Sequence, residues 1–310
     1  MTIRFAGCDV SRDHLDLHLP RREGCLDRRL PNTLDGCAVL IGALGGGVRL
    51  VVEASGGYER EIVAACHGAG VEVALVEAGR VRHFARARGQ RAKTDRIDAA
   101  VLAAFGAATM PPPTRPAGPD IELLKALRLR RQTLVHRRMA DLCQLKQARA
   151  PQIVALIEAS RDRLGAEIDA LDRRIGTLIA NSRTLVERAR LMRSVPGIGP
   201  VSVAALMADM PELGSLGKRP VAALTGVAPH PRQSGRWQGR AACGGGRKSL
   251  RDTLWMAATT AVRDPAGRFG RFYRRLRDAG KPHKLAITAV LRKLVVTLDA
   301  ILRTRIPYQP

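Results

Sequence analysis

Val48-Arg49-Leu50-Val51-Val52-Glu53-Ala54-Ser55-Gly56-Gly57 is a short apolar run that ends on a carboxylate and is followed by a two-glycine break. Val48–Glu53 reads as a buried strand, because β-branched and aliphatic side chains crowd a short span with a turn signal directly after it. A similar run lies upstream, where Ile3, Phe5 and Ala6 lead to Asp9. Downstream, Lys93-Thr94-Asp95-Arg96-Ile97-Asp98-Ala99-Ala100 opens a helix, and acids three apart share one helical face. Acids that end two strands and open a helix, in a chain otherwise strongly basic, point to one shared site. Hard divalent ions such as Mg²⁺ favour carboxylate oxygens. Two such ions flanking a phosphate can assist both oxygens of an in-line displacement. Asp9, Glu53, Asp95 and Asp98 are therefore candidate metal ligands and catalytic residues for phosphodiester chemistry.

The elements around these acids predict the fold. Residues 3–10 read as a first strand, His14–Leu19 alternates strictly as a second with Arg12-Asp13 in a tight turn, and Cys25–Leu30 is a weaker third. Thr33–Leu44 reads as a helix stopped by Gly45-Gly46-Gly47. After Val48–Glu53 come a helix over Tyr58–His67, a strand over Val71–Val76, and helices over Val81–Arg88 and Asp95–Ala107. A meander followed by β-α-β units predicts a mixed α/β sheet with helices on its faces. This is the ribonuclease H-like order, in which the first and fourth strands are neighbours and Asp9 meets Glu53. Asp13 and Asp16 are expected to be solvated on the hairpin, and Glu59 and Glu61 to be surface charges.

Pro111-Pro112-Pro113, with Pro116 and Pro119, marks a stiff extended linker. Beyond it, Asp120–Ala150 and Gln152–Arg190 carry Leu and Ile at helical spacing, fitting either a helical hairpin or a coiled coil between chains. Three regions result: a catalytic α/β domain over 1–110, a proline linker and coiled-coil region over 111–190, and a mostly helical C-terminal domain over 191–310. In the last, Arg193-Ser194-Val195-Pro196-Gly197-Ile198-Gly199-Pro200 has the pattern of a helix-hairpin-helix, whose glycines, Gly197 and Gly199, let backbone approach a phosphate. Pro229–Arg240 and Gly244–Arg251 are too rich in Gly, Pro and Arg for a core element. They carry one hydroxyl flanked by arginines and followed by glycine, Ser234 between Arg232 and Arg236, and further cations at Arg240, Arg247, Lys248 and Arg251 suited to phosphate.

The chain has 310 residues, 52 Lys+Arg against 28 Asp+Glu, and a formal net charge of +24, which argues for a polyanionic partner. Aromatic residues make up 3%, so stacking on aromatic platforms is not the main binding mode. The start, Met1–Ser11, lacks the apolar core of a secretory signal, and no apolar run is long enough to span a membrane. Six cysteines without a Cys-x-x-Cys pair argue against a disulfide framework and against zinc, and for reduced thiols in a cytoplasmic protein.

Asp9, the Val-Val-Glu53-Ala-Ser-Gly-Gly-Tyr run and Lys-Thr-Asp95-x-x-Asp98-Ala resemble the RuvC-like domain of the Asp-Glu-Asp-Asp (DEDD) insertion-sequence transposases, relatives of the Piv invertase. Pro-Gly-Ile-Gly-Pro, Leu-Thr-Gly-Val-Ala-Pro and Arg-Gln-Ser234-Gly resemble that family's C-terminal transposase domain. The resemblance runs in order through nearly the whole chain. It implies that the four acids bind Mg²⁺ and that Ser234 attacks a DNA phosphodiester to give a 5′-phosphoserine, with recombination through a Holliday junction. It further implies a guide (bridge) RNA pairing with donor and target double-stranded DNA. It also implies a homo-oligomer, a dimer or tetramer, in which one subunit's acids meet another's serine. The competing readings are a RuvC-like junction resolvase using water, and a non-catalytic nucleic-acid-binding protein.

Overall fold

A computed structural model describes residues 3–90, 94–231, 233–235, 237–239 and 241–309. The chain divides into two compact units, Met1–Pro116 and Ala117–Pro310. In the first, the apolar runs become strands β1 (Arg4–Val10), β2 (His14–Pro20), β3 (Cys25–Pro31), β4 (Val48–Glu53) and β5 (Val73–Val76). Helix α1 (Leu34–Leu44) precedes β4, α2 (Arg60–Gly68) precedes β5, and α3 (Ala78–Ala87) and α4 (Asp95–Thr109) follow. The sheet order is β3-β2-β1-β4-β5. β1 is antiparallel to β2, which is antiparallel to β3, while β1–β4 and β4–β5 are parallel. The first and fourth strands are neighbours, as their order in the chain predicts.

Both faces of this sheet are covered. Leu50 and Val52 join a cluster with Leu40 of α1 and Ile62 and Cys66 of α2. Val51, pointing the other way, joins Phe5, Val81 of α3, and Leu102 and Phe105 of α4. A strand buried on both faces loses its polar alternation, which is why Leu50–Val52 reads as an unbroken apolar run, and Arg49 before it is buried and paired with Glu72. Helix α4 lies directly on β1. A Cβ on Gly7 would overlap the Ala99 carbonyl oxygen and stand 2.6 Å from the Ala103 nitrogen. The start of the proline stretch belongs to this unit too. Thr114 N–H donates to the Val73 carbonyl at 2.7 Å, Thr114 Oγ1 accepts from Leu75 N–H at 2.9 Å, and Arg49 Nη1 donates to the Pro111 carbonyl at 2.8 Å. These contacts cover the edge strand β5, which would otherwise present open backbone groups.

The second unit is helical: α5 (Pro119–Leu145), α6 (Pro151–Asn181), α7 (Arg183–Arg193), α8 (Pro200–Asp209), α9 (Lys218–Leu224), α10 (Lys248–Ala261), α11 (Arg268–Asp278) and α12 (His283–Thr304). Prolines at the first turns of α5, α6 and α8 suit positions whose N–H has no helical partner. Of the two pairings open to the long helices, the hairpin within the chain is present: Leu134 of α5 packs with Leu164 and Ile168 of α6, and Arg131 holds Asp172 through two bonds of 2.6 and 2.9 Å. The core of the unit gathers around α12, where Leu291, Leu294, Val295 and Leu298 pack with Leu254 and Ala258 of α10 and Leu206 of α8. Asp299 of α12 is buried, and its carboxylate accepts from the N–H groups of Gly214, Leu216 and Gly217, fixing the loop before α9. Gly197 has φ +85°, and a Cβ there would collide with the Ala257 carbonyl oxygen of α10. Among the described residues no helix is long and apolar enough to cross a membrane.

Gly7→Ala should lift α4 from β1, since the clash is with helix backbone and not with a flexible side chain. The full chain is expected to lose about 2–3 kcal/mol or more, read as a lower denaturation midpoint. An unchanged midpoint would contradict the close packing of α4 on β1.

Candidate metal centre and serine hairpin

Strand periodicity places the first two acids. Phe5, Gly7 and Asp9 alternate onto the face of β1 that α4 covers, and Val51 and Glu53 do the same on β4. Asp9 and Glu53 lie one step beyond the last paired couple of these parallel strands, Cys8 and Val52. Helix α4 brings the other two. Thr94 caps it, its hydroxyl accepting from Ile97 N–H at 3.3 Å, and Asp95 and Asp98 occupy the first turn, where the helix dipole favours negative charge. The four acids therefore come together on one side of the sheet. Burial, and then the charges of Asp98, Asp95, Glu53 and Asp16, push the Asp9 carboxyl up from 3.8 to about 6.

Two acids expected to be bystanders are structural. Asp16 is not solvated: it is buried, stands opposite Asp9 in register, and is gripped by Arg29 Nε at 2.9 Å and Nη2 at 3.0 Å. The same Arg29 Nη2 reaches Asp95 Oδ2 at 2.6 Å. Glu59 is not a surface charge either. It is buried and accepts from Ser55 N–H, Ser55 Oγ and Gly57 N–H at 3.1, 3.1 and 2.8 Å, holding the loop that leaves Glu53. Burial works to raise its carboxyl, but hydrogen bonds from the backbone of Glu59, Gly57 and Ser55 outweigh that and lower it. Asp13 and Glu61 are exposed, as expected.

Sequence reasoning also missed a crossed pair of ion pairs. Arg29 of β3 meets Asp95 of α4, while Arg96 of α4 meets Asp27 of β3 at 2.7 Å. Each is partly exposed and contributes little alone. Together they fix the first turn of α4 over the sheet. The signal was present as Asp-x-Arg at 27–29 and Asp-Arg at 95–96, but only the strand register shows that the two are opposed.

Ser234 lies in the second unit. Pro229–His230 (β6) pairs with Ala242–Cys243 (β9), and inside them Gln233–Ser234 (β7) pairs with Trp237–Gln238 (β8). The segment is thus a projecting hairpin, with Ser234 opposite Trp237 at the last pair before the turn. Gly235 there has φ +55°. Ser234 is exposed, and its hydroxyl has no hydrogen-bond partner among the described residues. Arg232, Arg236 and Arg240, like Lys93 of the acidic motif, lie outside the described residues.

The cations after the hairpin hold its base. Arg247 donates to the Asp209 carbonyl at 2.6 Å and pairs with Glu212, Arg251 donates to the Gly245 carbonyl at 2.8 Å, and Lys248 pairs with Asp252. Gly199 caps α8 with open space where a Cβ would stand, whereas Gly197 faces α10 and its lack of a side chain is explained by packing.

Comparison with known proteins finds two family profiles in this chain. A family profile for the Asp-Glu-Asp-Asp domain, described as "Transposase", matches residues 6–148, and one described as "Transposase IS116/IS110/IS902 family" matches residues 189–274. The pilin gene-inverting protein of Moraxella bovis is 28% identical over 265 residues, 84% of this chain and 82% of that protein. The insertion element IS900 uncharacterized 42 kDa protein of Mycobacterium paratuberculosis is 33% identical over 169 residues, 51% of this chain and 40% of that protein. With acids gathered in one unit, a serine hairpin in the other, and a profile on each, the chain belongs to the IS110/IS116/IS902 family of DEDD transposases.

Proposed function

We propose that this transposase cleaves and rejoins DNA strands through a phosphoserine at Ser234, using a ribonuclease H/RuvC-like first unit as a Mg²⁺ site. The observation that carries the reading is the gathering of Asp9, Glu53, Asp95 and Asp98 on one sheet face, with Asp9 pushed up to about 6. Four carboxylates brought together, with the Asp9 carboxyl raised by burial and then by its neighbours' charges, fit a hard divalent cation, and these residues would hold it. Such an ion supplies Lewis acidity and charge neutralisation at a phosphate oxygen.

The chain's own residues then act as follows. Ser234 Oγ forms a bond to phosphorus and loses its proton, the P–O3′ bond breaks, and the departing 3′ oxygen takes up a proton. Rejoining reverses the step: a 3′ hydroxyl attacks the phosphoserine and frees the serine. No water is consumed, so bond energy is kept for the new junction. An isolated serine is a weak nucleophile that needs activation by a base or a metal, which fits a composite site where a second copy of the chain, in a dimer or tetramer, brings its acids to Ser234. Arg232, Arg236 and Arg240 are proposed to grip phosphates, joined by Lys248, whose exposed pair with Asp252 is easily exchanged. Arg247 and Arg251 position the hairpin from its base, and Gly199 leaves the start of α8 open to a phosphate. The net charge of +24 fits a polyanionic partner, DNA and RNA alike, and a guide RNA is proposed beside the DNA on the family resemblance alone.

Three outcomes test this. In the metal-free protein the raised Asp9 value means that its contribution to stability is present below about pH 4 and lost as pH rises through about 6. Asp9→Asn should therefore stabilise the metal-free chain at pH 7.5 by on the order of 1 kcal/mol, after allowance for its half-exposed position. The gain should shrink toward pH 4, in paired denaturation curves, and its absence at neutral pH would remove the crowding argument. Ser234→Ala should abolish the denaturant-resistant protein–DNA adduct and reduce strand exchange by roughly 10³-fold or more, with DNA affinity little changed. Retained cleavage would instead indicate attack by water, as in a junction resolvase. Sequencing of RNA that co-purifies from cells carrying the whole element should return one structured species, and random fragments would refute guidance.

A further inference from the structure

The β2–β3 hairpin carries a second ligand set, separate from the four acids. His18 and Asp27 face each other in register across the two strands. Cys25 lies two residues before Asp27 on β3 and so shares its face. His18 Nδ1 stands 2.6 Å from Asp27 Oδ1, and Cys25 Sγ 3.5 Å from Asp27 Oδ2. One donor atom from each of the three lies within 4.8 Å of the others. We propose that His18, Cys25 and Asp27 form a site for a borderline transition-metal ion, zinc, with water as the fourth ligand.

The chemistry of the donors selects the ion. Imidazole nitrogen, thiolate and carboxylate oxygen together suit zinc and disfavour Mg²⁺, which takes oxygen. Zinc bonds of about 2.0–2.3 Å in a tetrahedron require donors about 3.4 Å apart. Cys25 Sγ is already 3.5 Å from Asp27 Oδ2, while His18 Nδ1 is 2.6 Å from the other oxygen, Oδ1, so loading turns the carboxylate until one oxygen serves both and opens the His18 contact by about 1 Å. Cys25 is exposed at the start of its strand and free to swing in. On loading, Cys25 gives its thiol proton to solvent, and His18 binds through Nδ1 as neutral imidazole with the hydrogen on Nε2. The ion replaces the hydrogen bond between His18 and Asp27.

A plain ion-paired hairpin would account for His18 and Asp27, but not for a thiol on the same face. The sequence hides the site, since His18, Cys25 and Asp27 match no zinc spacing and meet only through the register. One further residue makes the site distinctive. Arg96 now neutralises Asp27 at 2.7 Å, so a metal ion competes with it. Arg96 lies between Asp95 and Asp98 on α4, which links occupancy of this site to the anchoring of that helix.

The test uses Co²⁺, a spectroscopic stand-in for zinc, titrated into reduced, tag-free full-length protein in excess Mg²⁺. One equivalent should give a thiolate-to-cobalt charge-transfer band with tetrahedral visible bands, chased by Zn²⁺. Cys25→Ser should abolish the charge-transfer band, and His18→Ala should weaken binding by about tenfold or more. Arg96→Ala should tighten it several-fold, because the competing cation is gone. Asp9→Asn should leave it unchanged, so loss of this site and loss of the Mg²⁺ site are read separately. Absence of the band at about 100 μM Co²⁺, or a band that survives Cys25→Ser, overturns the proposal. Weaker binding in Arg96→Ala overturns it as well. Cys25→Ser is an exposed, nearly isosteric change, so its result stands even where His18→Ala fails to fold.

Discussion

Repulsion between carboxylates is the constraint on the first unit. Two unit charges 4 Å apart at an effective dielectric of 20 interact by about 4 kcal/mol, so a group of acids disperses unless something stronger gathers it. Here the gathering force is apolar. Leu102 and Phe105 of α4 bury against Phe5 and Val51 of the sheet, each fully buried side chain contributing about 1.5–3 kcal/mol. Gly7 lets the helix settle to backbone contact. The acids ride on this packing, which buries Asp9 and sets the other charges around it, and the cost is visible as the raised Asp9 carboxyl. A site built this way is preorganised, because the binding of a cation relieves a cost already incurred in folding.

Arg29 moderates that cost without removing it. Its guanidinium grips Asp16 with two bonds and touches Asp95 with the same Nη2. One cation shared by two of the flanking acids leaves Asp9 uncompensated, in agreement with its upward shift. Glu59 does a different task nearby. By accepting three hydrogen bonds from Ser55 and Gly57 it closes the loop after Glu53, so that β4 ends where its acid is needed.

The sequence made the frame of this arrangement readable, and the reasons are physical. Apolar runs closed by acids, glycine stops and a capped acidic turn are local signals, and they were enough to place β1 beside β4 and Asp9 near Glu53. What stayed hidden depends on register or on tertiary approach. Asp16 looks like any hairpin acid until the β2–β3 pairing sets Arg29 opposite it. Glu59 looks like a helix surface charge until the loop folds back on it. Gly197 reads as a phosphate-approach glycine, yet the backbone of α10 fills the space beside it, and no local pattern announces that neighbour. The leucine periodicity of α5 and α6 fitted partners in the same chain or in another equally well, and the packing of Leu134 on Leu164 and Ile168 shows the partner within the chain.

The second unit manages charge in the opposite sense. Two of its acids are engaged inside the fold: Asp299 accepts three backbone N–H groups, and Asp209 takes Arg128 and the Ser249 hydroxyl. Several arginines of α11 and its flanks contact neutral partners instead. Arg271 donates to the Ala266 carbonyl, Arg274 to the Pro265 carbonyl and Arg277 to the Lys281 carbonyl, while Arg275 lies over the Phe272 ring. A carbonyl or a ring orients a guanidinium but leaves its charge whole. Ordering the arginines this way keeps a positive field that a set of salt bridges would cancel, and such a field draws polyanions at long range. The same logic explains the exposed hairpin. If Ser234 is the nucleophile proposed above, its hydroxyl gains nothing from a partner inside its own unit, whereas a short paired ladder with arginines in its sequence can present it in that field.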